Sequence, residues 1–235
     1  MAAERPAVLL LHGALGAAAS MRPLAERLDA HLTAHTLDFA GHGAARAPSA
    51  PLTIELLAAQ VSAHIEEHGL APARLFGYSL GGYVALHLAA TRPARVGRVM
   101  TLATKLAWSP EVATRMNAQF DPATIRAKVP TLAAALASLH PGMGWEALLG
   151  ATRTMLADLG DHPRLSPDTY ARITQPVRLA VGDRDTTVSI DETLAAMRTI
   201  PGAELEVLPA TPHLLERMDF DRVSRSTLEF FDARA

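Results

Sequence analysis

One serine, one histidine and a pair of aspartates carry the chemistry this sequence can offer. Ser79 sits in GYSLG (77–81), a Gly-x-Ser-x-Gly pattern that follows an apolar run and precedes a helical one. A serine hydroxyl is a poor nucleophile at neutral pH. It attacks a carbonyl only when a base, usually histidine, takes its proton and a carboxylate orients that base. In a strand–turn–helix setting of this kind the chain order is serine, acid, histidine. Of the ten histidines only His213 follows the aspartates of GDRD (182–185), so His213 is the expected base. Asp185 is the expected acid, because it lies beyond the strand end where it can face a histidine loop on the neighbouring strand. Asp183, which an Asp after Gly often spends on its own turn, is held in reserve.

The glycines give the serine its setting. A strand that turns sharply into a helix with Ser79 at the apex strains the backbone there, and side chains two residues to either side would collide. Gly77 and Gly81 are therefore expected on steric grounds. The turn leaves Ser79 at a helix N-terminus, where free N–H groups favour developing negative charge. The bland alternative is a helix capped by Ser79 with chance glycines nearby. A second requirement is a pair of donors for an oxyanion. LLLHGALG (9–16) ends an apolar run, and the N–H of Ala14 can join that of Leu80, beside the serine, as that pair. With His213 as base, His12 is expected to be structural.

Short apolar runs at 7–11, 32–37, 73–77, 96–103, 177–182 and 205–209 read as strands. The first, third and fifth are nearly all apolar, which suits strands covered on both faces. Between them lie amphipathic stretches: 21–32 with Leu24, Leu28 and Leu32 on one face, 53–68 with Leu57, Val61 and Ile65, and 214–231 with Leu215, Met218, Val223 and Phe230. Strand alternating with helix predicts an α/β fold with a mostly parallel sheet of about six strands, joined by right-handed crossovers. The alternation stops between 106 and 173. SPEVATRM, DPATIRAK and SPDTYARI there each pair a capping Ser or Asp with Pro in the first turn. The chain is thus expected to divide into a core, 1–105 and 174–235, and a helical cap, or lid, at 106–173.

Composition narrows the partners. The 235 residues are 49% hydrophobic and 20% charged, with a net charge of −2, so neither nucleic acid nor an anionic membrane is an expected partner. There is no cysteine, which removes thiol nucleophiles, disulfides and thiolate metal sites and fits a cytoplasmic location. No apolar stretch approaches the ~20 residues of a membrane-spanning helix. The opening residues resemble a signal peptide only superficially: Glu4 offsets Arg5, and His12-Gly13 interrupts the apolar run.

With these residues in place the sequence resembles the α/β-hydrolase superfamily, and more narrowly its small single-chain serine esterases and related acyl hydrolases. Matching landmarks run in order: HGALG (12–16), DFAGHG (38–43), GYSLGG (77–82), GDRDTTV (182–188) and TPHLLER (211–217). The resemblance places the catalytic acid three residues after the glycine, at Asp185. It makes DFAGHG a structural loop, so that Asp38 and His42 are scaffold. The sequence departs from the pattern in two ways. The family's amino-terminal hairpin is missing before AVLLLHG, which implies six strands where eight are usual. Tyr78 stands where histidine is frequent, a change expected to leave the triad untouched.

The expected activity is hydrolysis of carboxylic esters with small to medium acyl groups, through an acyl-enzyme on Ser79, with no metal or organic cofactor. The partner is then a small-molecule ester or related acyl compound. Leu15, Trp108, Met116, Trp145 and Met155 are candidates to line the acyl pocket between sheet and lid. Lys105, at the mouth of the insertion, is a solvated charge or a contact for an acidic substrate. The same triad serves acyltransferases, thioesterases, lactonases and C–C hydrolases, because the pocket selects the acyl acceptor. A ligand-sensing module of the same fold is the non-enzymatic rival.

Overall fold

Apolar runs too short for helices become strands, and the capped amphipathic runs between them become the helices that cover them. In the computed structural model, which describes residues 5–231, the order is β1 (Ala7–Leu11), α1 (Arg22–Leu28), β2 (Thr33–Thr36), α2 (Ile54–Glu67), β3 (Ala73–Tyr78), α3 (Leu80–Thr91) and β4 (Val96–Leu102). Five helices follow before the next strand: α4 (Pro110–Asn117), α5 (Pro122–Lys128), α6 (Pro130–Leu139), α7 (Trp145–Asp161) and α8 (Pro167–Tyr170). The chain then completes β5 (Val177–Gly182), α9 (Ile190–Thr199), β6 (Glu204–Leu208) and α10 (Phe220–Phe230).

The six strands are all parallel, in the order β2-β1-β3-β4-β5-β6. Alternate residues of each strand feed opposite layers. Leu9 and Leu11 of β1 pack with Leu57, Val61 and Ile65 of α2 and with Val84 and Leu88 of α3. Val8 and Leu10 pack with Leu24 and Leu28 of α1 and with Val223 and Phe230 of α10. Both faces are therefore buried, which is why these strands read as continuous apolar runs rather than alternating ones. Truncating a fully buried leucine such as Leu9 to alanine should cost about 2–5 kcal/mol.

The chain leaves β1 for β2 on one side and returns to β3 on the other, so the winding direction reverses between β1 and β3. In open parallel sheets the crevice for a ligand lies at such a reversal, outside the carboxyl ends of the strands. The loops after β1 and β3 both emerge there.

Two expected helices are shorter than their patterns. The first ends at Leu28, whose carbonyl accepts from both His31 and Leu32 N–H groups, so the turn closes there. Leu32 is still fully buried, but from the approach to β2. The last is broken: Leu215–Arg217 form a single tight turn, and Asp219 then starts α10 by accepting from the Asp221 and Arg222 N–H groups. Leu215, Met218, Val223 and Phe230 nonetheless share one buried cluster. Between β4 and β5 the capping residues act as their sequence suggests. Ser109, Asp121 and Ser166 each accept from the N–H three residues on, with Pro opening the helix. Among the described residues no helix is long and apolar enough to cross a membrane.

Candidate active site

The Ser79 turn is held from four directions. The residue has φ 51 and ψ −115, a backbone conformation that non-glycine residues seldom adopt and that costs about 1–3 kcal/mol. Its N–H donates to the Leu102 carbonyl at 2.8 Å, and its carbonyl accepts from Gly82 N at 3.0 Å, Tyr83 N at 3.3 Å and Thr104 Oγ1 at 3.1 Å. A Cβ on Gly77 would overlap the backbone of Gly81 and Gly82, and one on Gly81 would overlap the Leu11 carbonyl. These two positions are closed to any larger residue because β1, β3 and α3 converge there.

His213 lies in the loop after β6, and its Nδ1 is 2.8 Å from Asp185 Oδ2. The Asp185 side chain is fully buried. Its other oxygen, Oδ1, accepts from Thr187 N and Val188 N, both at 2.8 Å. Such a carboxylate can accept only, so Nδ1 carries the proton and Nε2 is left with a lone pair. Asp183 is turned elsewhere: its Oδ1 accepts from Thr211 N at 3.3 Å. The structure brings Asp185 to His213 and leaves Asp183 supporting the loop that carries the histidine.

Ser79, His213, Ala14 and Leu80 all line one cavity of about 660 Å³. Neither the Ala14 nor the Leu80 N–H is engaged by another group among the described residues. The remaining wall is largely apolar, from Leu15, Trp108, Met116, Phe120, Leu132 and Leu136 among others.

Two pocket expectations are corrected. Trp145 and Met155 do not line the cavity. Trp145 packs behind it against Ile125, Leu136 and Leu149, and Met155 is buried in the main core. From α7 the cavity takes Leu156 and Leu159 instead. Lys105 does line the cavity, but it is not a free charge. Its Nζ lies 2.6 Å from Glu192 Oε2, and both side chains are largely buried. Glu192 also accepts from Leu106 N at 3.0 Å, so the pair ties the first residues after β4 to α9. Tyr78 is a third correction, because it does touch His213. Its hydroxyl donates to the His213 carbonyl at 2.8 Å, and burial pushes that phenol above its ordinary range.

Three further histidines stand behind the loop after β1. His12 is fully buried; its Nδ1 donates to the Gly13 carbonyl at 2.8 Å and its Nε2 accepts from Phe39 N at 3.1 Å. Burial lowers its pKa to about 4, so it is neutral at pH 7. His42 is lowered to about 3, again chiefly by burial, and its Nδ1 donates to the Ala40 carbonyl at 3.1 Å. Asp38 accepts from Ala18 N at 2.7 Å and Ala44 N at 3.0 Å, pinning two loops. All three act as scaffold.

The third histidine, His140, is the residue that sequence reasoning missed. It stands just after α6, yet its Nδ1 accepts from Gly43 N at 2.9 Å. That fixes the proton on Nε2, which donates to the Leu15 carbonyl at 2.9 Å. Leu15 has φ 57 and follows Ala14 directly. His140 thus holds the Ala14–Leu15 turn from the end of α6, whose Leu136 and Leu139 line the cavity. Its partners are 97 and 125 residues away in sequence, and no pattern in the chain links them.

Comparison with known proteins agrees with this architecture. A model of the alpha/beta hydrolase fold family matches residues 6–173. A pimeloyl-[acyl-carrier protein] methyl ester esterase from Xanthomonas oryzae pv. oryzae is 41% identical over 99 residues, covering 42% of this chain and 37% of that protein. The chain thus spans well under half the length of this curated relative. Among solved structures, NosK from Streptomyces actuosus superposes with a TM-score of 0.82 at 26% identity, over 97% of this chain and 98% of that one. A hydrolase from Pseudomonas aeruginosa gives 0.76 at 25% identity, over 99% and 92%.

Proposed function

The chain belongs to the alpha/beta-hydrolase family, and from that premise we propose that it is a serine hydrolase of carboxylic esters with small to medium apolar acyl groups. The observation that carries the proposal is the Asp185–His213 hydrogen bond, made at the rim of the cavity that Ser79 also lines. Asp185 holds the imidazole in the tautomer whose Nε2 can accept a proton. In the reaction the Ser79 hydroxyl adds to the ester carbonyl while His213 Nε2 takes its proton. The carbonyl oxygen becomes an oxyanion between the Ala14 and Leu80 N–H groups. Collapse expels the alkoxide, which receives the proton from His213 and leaves as the alcohol. Water then adds to the acyl-enzyme with His213 again as base, releasing the carboxylic acid and restoring the Ser79 hydroxyl.

Two features support an apolar acyl group. The cavity wall facing Ser79 is built of leucine, methionine, phenylalanine and tryptophan side chains, and the cationic group nearest it, Lys105, is already paired with Glu192. The helices between β4 and β5 supply most of that wall and act as a cap on the site. The relatives named as methyl ester esterases also point to a small alcohol leaving group. The test is turnover of an aryl ester series of rising chain length, with a fluorophosphonate label. The expected result is measurable hydrolysis, a single adduct on Ser79, and loss of both in Ser79→Ala. Undiminished turnover in Ser79→Ala, or an adduct on a different serine, overturns the assignment.

A further inference from the structure

On the edge of the sheet remote from this chemistry stands a second group of titratable side chains that the hydrolase reading does not use. β2 is the edge strand, and His35 lies in it, paired in register with Leu9. His64 lies in the last turn of α2, and His68 follows one turn later as the residue that caps it. The fold brings these three together: the rings of His64 and His68 stack with centroids 4.0 Å apart, and His35 meets them edge-on at 6.2 and 5.6 Å. One ring nitrogen from each lies within 4.8 Å of those of the other two. None of the three lines the cavity that holds Ser79.

We propose that His35, His64 and His68 form a binding site for one divalent zinc-like metal ion, linking the edge strand to α2. The hydrogen bonding favours ligation. His68 Nδ1 is 3.0 Å from the His64 carbonyl, which can only accept, so Nδ1 carries the proton and Nε2 keeps its lone pair. A carbonyl on the far nitrogen is the usual device for orienting a metal-bound imidazole. His64 Nε2 is buried with no hydrogen-bond partner, a costly state for a polar atom. An ion would satisfy it.

Three imidazoles with no thiolate suit zinc, copper or nickel far better than calcium or magnesium. Tetrahedral zinc with Zn–N of about 2.0–2.1 Å sets its ligand nitrogens about 3.3 Å apart. Closing the present spacing, within 4.8 Å, requires the three side chains to rotate toward a common point. His68 is exposed, so the fourth position opens to solvent and takes water.

Calorimetry of the full, untagged chain with zinc chloride tests the site, with cobalt(II) absorption as a second readout of tetrahedral coordination. The expected result is one saturable equivalent per chain with micromolar or tighter affinity. The His64→Gln/His68→Gln double variant should lose that binding, and His35→Gln should lose at least the roughly 10–100-fold that removal of even an outer-shell partner costs. Ester turnover should be unchanged in all of them, which shows that the variants remain folded and separates this test from that of the hydrolase reading. No saturable binding, or an equivalent that survives the double variant, overturns the site. Binding unaffected by His35→Gln also overturns it, because the helix pair alone would then account for the metal.

Discussion

The two walls of the cavity that Ser79 lines are built on different principles. On the sheet side, position is fixed by backbone. Ser79 and Leu15 hold positive φ angles, and the carbonyl or N–H groups of Ser79, Gly13, Leu15 and Gly43 are each bonded to a named partner. On the cap side, Met116, Phe120, Leu132 and Leu136 contribute apolar surface. There Val129 and Leu132 remain 45% and 43% exposed. A developing oxyanion demands donors placed to a fraction of an ångström, whereas an acyl chain demands only apolar volume. Under the proposed function, the sheet wall sets the reaction and the cap wall sets which acyl group enters. His140 is where the two meet.

The largest expected effect tests the sheet wall. Asp185→Asn should lower kcat for a short ester by about 10⁴-fold, because the imidazole loses the acceptor that fixes its tautomer. Asp183→Asn should change it by less than about tenfold, since Asp183 bonds the Thr211 N–H and pairs with the exposed Arg184 and does not reach His213. Steady-state kinetics of the two variants settles the choice, and equal losses would remove the distinction between them.

Acid should loosen the same wall. His12 and His42 have folded pKa values of about 4 and about 3, below the ordinary 6.5, so the unfolded chain binds more protons between those values. The stability they supply is fully present above pH 6.5 and is lost as pH falls toward 4 and below. For the wholly buried His12 that amounts to a few kcal/mol, because each tenfold change in proton affinity is worth about 1.4 kcal/mol. Urea unfolding at pH 7 and pH 5 should show the decline, and His12→Phe should flatten it. A midpoint that does not move between those pH values contradicts the account.

His140→Ala tests the junction. It should reduce kcat by about 10–100-fold with little change in KM, because it frees the Leu15 turn without touching substrate. His140→Gln, which can still donate and accept, should recover part of that loss. A drop in melting temperature with kcat intact would make the residue a support for the fold alone. The smallest effect belongs to the cap. Leu132→Ala should lower kcat/KM for longer acyl esters roughly tenfold, spare the acetyl ester, and leave stability within about 0.5 kcal/mol. An equal loss on every chain length would mean that the cap also positions the reacting carbonyl.

Much of this was legible because local and global signals agree. The six strands, the capped helices of the insertion and the Ser79 turn each carry their own residue pattern, and their bounds shift by only a residue or two in most cases. Where the pattern overran, at 21–32 and 214–231, an amphipathic face continued past a point where the backbone had already turned. The apolar face was real, but burial did not require helix. The pocket was less legible. Trp145 and Met155 have the right composition, yet which residues of α7 reach the cavity depends on how that helix is seated. Tyr78 and His140 were invisible as partners because hydrogen bonds between distant loops leave no periodic trace in sequence.

By itself the sequence determined the layered α/β architecture and the chemical types available, because strand burial, capping and the steric needs of a sharp turn are local properties of residue type. Only the tertiary structure decided which groups touch. It set Asp185 rather than Asp183 against His213, turned Leu156 rather than Met155 to the cavity, and brought His140 to Leu15. It also placed His35 beside His64 and His68. Those choices depend on how separate elements pack, and packing is settled by the whole core at once.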